Sequence, residues 1–146
     1  MLLILHDFNI KDKLYMKKRF SFILALTVLT ALIVGCSGGK TYEEGTHYRE
    51  SEFDERGWKS TLTLTVENGK IKQVDYDEVD NEGISKTKDA EYAMVMKEEE
   101  GVTPKETFEK LAEELISSQD IDEVDAVSGA TTSSEIFKTL VKDALA

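Results

Sequence analysis

Thr61-Leu62-Thr63-Leu64-Thr65-Val66 alternates polar and apolar side chains at a period of two, and Asn68-Gly69 follows directly after Glu67. That period belongs to a strand with one buried face, not to a helix. Asn-Gly supplies the two positive φ angles of a tight hairpin turn, so the chain returns antiparallel, with Ile71, Val74 and Tyr76 marking the second strand. Ile71 and Val74 differ in parity, which requires either a bulge or one of them facing out. Upstream, Tyr42 to Phe53 reads as a short strand region before a turn at Asp54 to Gly57.

Helical signals follow the hairpin. Thr103 caps a helix, Pro104 suits its first position, Glu106 completes a capping box, and Phe108, Leu111, Ala112, Leu115 and Ile116 form its apolar stripe. Glu91 to Glu100 is expected to form a shorter helix through Tyr92, Val95 and Met96, with Met94 and Met96 as core filler. A last helix is expected from a Thr132–Glu135 capping box, with Ile136, Phe137, Leu140, Val141, Ala144 and Leu145 on one face. Between these elements, Asp75 to Asp89 reads as a charged loop and Ile121 to Val127 as a strand or extended segment. Neither Asp75–Asp80 nor Asp120–Asp125 fits a calcium loop, because Val79 and Val124 stand where an oxygen ligand is needed. His47 has no spacing partner for a metal and reads as a surface residue. The expected fold class is α+β: a small antiparallel sheet with about three helices in a single domain after a lipoprotein signal peptide.

Met16-Lys17-Lys18-Arg19 is a positive n-region, Phe20 to Val34 is apolar, and Ile33-Val34-Gly35-Cys36 resembles a lipobox. Residues 16–35 therefore read as the signal peptide, Cys36 as the lipidated first residue, 36–41 as a tether and 42–146 as the domain. An uncleaved anchor helix is the alternative, but the run is short of the about 20 apolar residues that span a bilayer. Residues 1–15 fit no secretion signal and are expected to be a non-native upstream extension, with translation starting at Met16. Acyl chains such as palmitate on Cys36, at about 0.8 kcal/mol per buried CH2, would hold the domain on the extracytoplasmic face of the cell membrane. The chain has one Cys, so lipidation leaves no thiol for a disulfide. Its net charge is −11 although the leader is basic, which disfavours nucleic acid and leaves membrane attachment to the lipid. The acidity either steers basic partners or simply solvates the surface.

Asp125-Ala126-Val127-Ser128-Gly129-Ala130-Thr131-Thr132-Ser133-Ser134 is a run of small residues and hydroxyls opening onto the last helix. A helix start presents free N–H groups and a positive dipole end, which favour a phosphate. Gly129 permits a turn with positive φ, and Ala130 keeps crowding low around Thr131. The bare residues fit a polar loop with a helix cap equally well.

Asp125, Ser128, Gly129, Ala130 and Thr131 resemble, position by position, the flavinylation motif D-x-x-[S/T]-G-A-[S/T] of the FMN-binding domain family. That family includes the NqrC and RnfG subunits of redox complexes and PplA-like lipoproteins of extracellular electron transfer; the last is the branch most similar in arrangement. The resemblance implies FMN joined through its phosphate to the Thr131 hydroxyl by an ApbE-type flavin transferase, with Thr132 as runner-up acceptor. Asp125 would contact the modifying enzyme or its metal, or is an ordinary loop or strand-end carboxylate, and Ser128 would hydrogen-bond the turn or the phosphate. It further implies an electron carrier between a membrane redox donor and an extracellular acceptor. No catalytic constellation is apparent, which favours a carrier over an enzyme with its own substrate. Trp58, Tyr76, Tyr92 and Phe137 are candidates to cover the flavin ring, although core packing is the better reading of each and only Phe137 lies near the attachment helix in sequence. Two other readings stay open: a cofactor-free binding or sensory surface lipoprotein, or a leader whose Thr30–Gly35 tail acts as a signalling peptide.

Overall fold

Inward side chains of the first predicted strand bury as the alternation requires. In β2 (Lys59–Glu67), Ser60, Leu62, Leu64 and Val66 are buried while the intervening threonines are half-buried. A computed structural model describes residues 40–146; the expected upstream extension over 1–15, the expected leader over 16–35 and Cys36 lie outside the described residues. Asn68 and Gly69 take φ of 55° and 68°, closing the hairpin to β3 (Lys70–Val79). The edge strand β1 (Gly45–Glu50) pairs antiparallel with β2, giving the order β1-β2-β3.

The parity conflict is resolved by a bulge. Thr65 pairs with Gln73 but Val66 with Ile71, so Lys72 is left over, and Val74 and Tyr76 then pair with Leu64 and Leu62 on the core face. The backbone freed at the bulge is taken up by Gln119, whose side chain accepts from Ile71 N–H at 2.8 Å and donates to Ile71 C=O at 2.9 Å.

Three helices follow: α1 (Ala90–Glu100), α2 (Pro104–Ser118) and α3 (Thr131–Ala144). The capping box of α2 forms as expected: Thr103 Oγ1 accepts from Glu106 N–H, and the Glu106 carboxylate accepts from Thr103 N–H. Phe108, Leu111 and Leu115 bury against the sheet; Ala112 is half-buried and Ile116 lies at the margin, exposed. On α3, Phe137, Leu140, Val141 and Ala144 are buried, with Ile136 and Leu145 packed beside them. The Tyr76 ring sits edge-on between Phe108 and Phe137, with centroids at 4.9 and 5.1 Å.

Three local expectations are corrected. Strand β3 continues through Val79, where a charged loop was expected, because Glu78 points inward as a buried partner of Lys86. The segment Ile121–Val127, expected as a strand or extended segment, is no strand: a 3₁₀ turn at Ile121–Glu123 leads to an extended Val124, and Val124 and Val127 bury three residues apart. Helix α1 forms, but none of its side chains is fully buried, and Met94 and Val95 face solvent. Its ends are set locally instead, by the Asp89 side chain accepting from Tyr92 N–H and by Gly101 at φ 80°.

Phe137 is fully buried where sheet and both long helices meet. Phe137→Ala is expected to destabilise the domain by about 3–5 kcal/mol, read as a lower urea midpoint with an unchanged slope.

Candidate functional site

After Val127 the chain turns, with Ala130 N–H donating to Val127 C=O at 2.9 Å, and enters α3 at Thr131. Thr132 is not the cap expected from its spacing to Glu135. Ala130 is the N-cap residue and has no side-chain acceptor, so Thr131 and Thr132 are the first two helical residues. The turn is closed from below by Ser134, fully buried, whose Oγ accepts from Val127 N–H at 3.1 Å and donates to Ala130 C=O at 2.8 Å. Among the described residues the N–H groups of Thr131, Thr132 and Ser133 therefore have no hydrogen-bond partner.

Gly129 is required twice over. Its φ of 81° is left-handed, and a Cβ there would lie 2.6 Å from the Glu100 carbonyl oxygen and 2.9 Å from Glu100 Cβ. The motif turn is thus pressed against the C-terminal end of α1.

A half-open cavity of about 330 Å³ lies over this helix start. Gly129, Ala130, Thr131, Thr132 and Ser133 form one wall, and the Thr131 and Thr132 side chains are exposed in it. Tyr92 and Met96 of α1, with Pro104 and Phe108 of α2, supply apolar surface, and Lys86, Arg56 and Glu100 supply charge. Lys86 is only 3% exposed; its ammonium is ion-paired to the equally buried Glu78 and lies 4.6 and 4.8 Å from the ring centroids of Trp58 and Tyr92. Arg56 is bonded to Asp54 at 3.0 and 3.1 Å, which raises the guanidinium pKa and keeps it cationic at the rim.

Beneath the wall, the Tyr76 hydroxyl lies 3.1 Å from Ser60 Oγ, 3.1 Å from the Ser133 carbonyl and 3.4 Å from Glu78 Oε1. Burial, reinforced by the Glu78 charge, pushes the phenol pKa far up.

Of the residues singled out from sequence, Gly129, Ala130, Thr131 and Thr132 converge on the cavity. Asp125 and Ser128 are exposed and outside its wall; Asp125 is tied only through its N–H, to Glu114 Oε2 at 3.3 Å. Tyr92 lines the cavity, Trp58 backs Tyr92 edge-on at 5.7 Å, and Tyr76 and Phe137 belong to the core. Lys86, Arg56, Met96 and Phe108 were not anticipated at the site. Lys86 had one indirect signal, the acid at Glu78 in phase with the inward face of β3. His47 is half-buried, and among the described residues its ring has one hydrogen-bond partner, the Glu43 carbonyl at 3.0 Å, to which Nε2 donates.

Free N–H groups at a helix start suit a phosphate, apolar and aromatic walls suit a planar ring, and cations suit its polar edge. The site is of the class that takes a phosphate-bearing aromatic group. A family model described as "FMN-binding domain" matches residues 57–146. A "15 kDa lipoprotein" of Treponema pallidum (strain Nichols) is 40% identical over 127 residues, covering 86% of this chain and 86% of that protein. A crystal structure of the CPE2226 protein of Clostridium perfringens superposes with a TM-score of 0.69 at 32% identity, covering 71% of this chain and 86% of that one. A solution structure from Clostridium thermocellum, also 32% identical, covers 70% of this chain and 89% of its own, with a TM-score of 0.48. The chain belongs to the FMN-binding domain family.

Two outcomes test this geometry. Gly129→Ala should lower the melting temperature more than Gly83→Ala: both positions are at positive φ, at about 1–3 kcal/mol of strain each, but only Gly129 has a neighbour in the way. The raised phenol pKa means the native state keeps the Tyr76 proton while the unfolded chain loses it above about pH 10. Stability from this group is therefore full below that pH and falls as pH rises, and Tyr76→Phe should flatten that alkaline decline in urea midpoints.

Proposed function

We infer that this domain is a lipid-anchored, extracytoplasmic electron carrier whose FMN is joined by a phosphoester to Thr131. The observation that carries this reading is the exposed Thr131 side chain on an uncapped helix start, in the wall of a cavity with aromatic and cationic lining. Bound FMN supplies one- and two-electron redox chemistry, which no side chain in the cavity wall offers by itself.

In the attachment step the Thr131 hydroxyl oxygen bonds the FMN phosphorus of FAD, AMP leaves, and the hydroxyl proton goes to solvent or to a base of the ApbE-type transferase. The free N–H groups of Thr131, Thr132 and Ser133 would hold the phosphodiester, and the α3 dipole would favour its negative charge. Tyr92, Met96 and Phe108 offer contact to the ring. Asp125 and Ser128, exposed and outside the wall, remain accessible to the transferase.

Anchorage is proposed through Cys36, supported by the lipobox-like Ile33–Cys36 and by the Treponema relative named a lipoprotein. No helix among the described residues is long and apolar enough to cross a membrane. The donor would be a membrane redox protein, and the acceptor an extracellular oxidant or another flavoprotein.

Intact-mass analysis of the mature protein from its own cells should show an FMN adduct, mapped by peptide sequencing to Thr131 and lost in Thr131→Ala. An adduct on Thr132 would move the attachment by one residue. An unmodified mass from cells that possess the transferase would leave a cofactor-free binding or sensory lipoprotein.

A further inference from the structure

The cavity beside Thr131 contains one charged group that is almost fully withdrawn from water. Lys86 is 3% exposed and yet belongs to the cavity wall, whereas its partner Glu78 is 2% exposed and does not. Of the pair, Lys86 thus belongs to the cavity wall, while the Glu78 carboxylate lies behind it, where the Tyr76 hydroxyl approaches it. The Trp58 and Tyr92 rings lie 4.6 and 4.8 Å from Lys86 Nζ, so the stem has little freedom to swing away. Burying such a pair is no device for stability, since apolar side chains of the same volume serve as well or better. A held, oriented cation beside a cavity is useful when charge develops in that cavity.

We propose that Lys86 is the contact that sets the reduction potential of the ring held in this cavity, and that Glu78 is the positioning residue that aims it. The proposal rests on the flavin reading above. When two electrons from a redox donor and one proton from water enter a flavin, the ring becomes one unit more negative. A cation held beside it in a poorly hydrated wall stabilises that reduced form relative to the oxidised one and raises the potential. Arg56, exposed at the rim and already bonded to Asp54, is screened by water and contributes less.

The test uses the protein co-produced with an ApbE-type transferase, with the FMN adduct checked by mass and the potential read by spectroelectrochemical titration in each variant. Lys86→Met should lower the potential by at least tenfold in the reduced-to-oxidised equilibrium, about 30 mV for a two-electron couple. Lys86→Arg should retain most of the wild-type value. Because Lys86→Met strands a buried carboxylate and risks unfolding, the Glu78→Gln/Lys86→Met double variant is measured as well, and a shift in the same direction is expected. An unshifted potential in a flavinylated, folded double variant would overturn the role of Lys86 alone, as would a shift from Lys86→Arg equal to that from Lys86→Met. A wild-type protein that carries no adduct after co-production would remove the flavin reading, and the proposal with it.

Discussion

Glu78 and Lys86 have each given up almost all contact with water, and neither would be tolerated in its place alone. Desolvating a single ion costs several kcal/mol even after relaxation, so the two are retained only as a pair, with Tyr76, Trp58 and Tyr92 around them. The pair ties together parts of the chain that share little else. It joins the end of β3 to the 3₁₀ turn at Lys86–Lys88, and through Trp58 and Tyr92 it reaches the start of β2 and the first turn of α1. That matters most for α1, which has no fully buried residue to hold it. Its placement relies on Tyr92 against this cluster, on Met96 packed at the core margin, and on the exposed Lys97–Glu106 bridge, which is worth little by itself. One cavity wall is consequently positioned by a charge pair and not by a hydrophobic stripe.

The opposite wall is built on another principle. A helix start is ordinarily satisfied by a Ser, Thr, Asp or Asn cap, and α3 places Ala130 there. The missing cap is offset by Ser134 from within the first turn: its hydroxyl spans Val127 N–H and Ala130 C=O, fixing the loop without occupying the outward N–H groups. Tyr76 secures the same turn from the sheet side, within hydrogen-bond reach of the Ser133 carbonyl. The outward face of the turn stays open while the inward face is fully bonded, an arrangement suited to a site that must be rigid and also accept a group from outside.

What could be read from the sequence divides along the range of the interactions involved. The β2 hairpin, the α2 capping box and the α3 stripe were legible because period, turn dipeptide and cap are contacts among near neighbours. The inner half of β3 was not, since Glu78 on the core face looks like solvent exposure until Lys86 is known to meet it. The error in α1 has the same origin: Tyr92 and Met96 do turn inward, but Val95 at helical spacing beside them faces water, because the helix covers a cavity and not a core. At the site, Gly129, Thr131 and Thr132 were legible from one contiguous motif. Lys86, Arg56, Met96 and Phe108 reach the same cavity from other elements, and nothing in their local patterns points there.

The shape of the cavity bears on why a covalent tether would suit this domain. An open pocket of about 330 Å³ covers a flavin-sized ring incompletely, and a ligand held by such a surface alone dissociates readily. The proposed phosphoester to Thr131 would make ring docking intramolecular, so that even weak contacts with Tyr92, Met96 and Phe108 would suffice to hold the ring in place most of the time. Retention is then separated from enclosure. On that proposal the ring edge could stay exposed to a redox partner, as a carrier that exchanges electrons with other proteins would require, while a bond would prevent loss into the surrounding medium. The Gly129 turn fits the same logic: by lying against Glu100 it packs the start of α3 onto α1, which would keep a proposed tether at Thr131 close to the apolar wall.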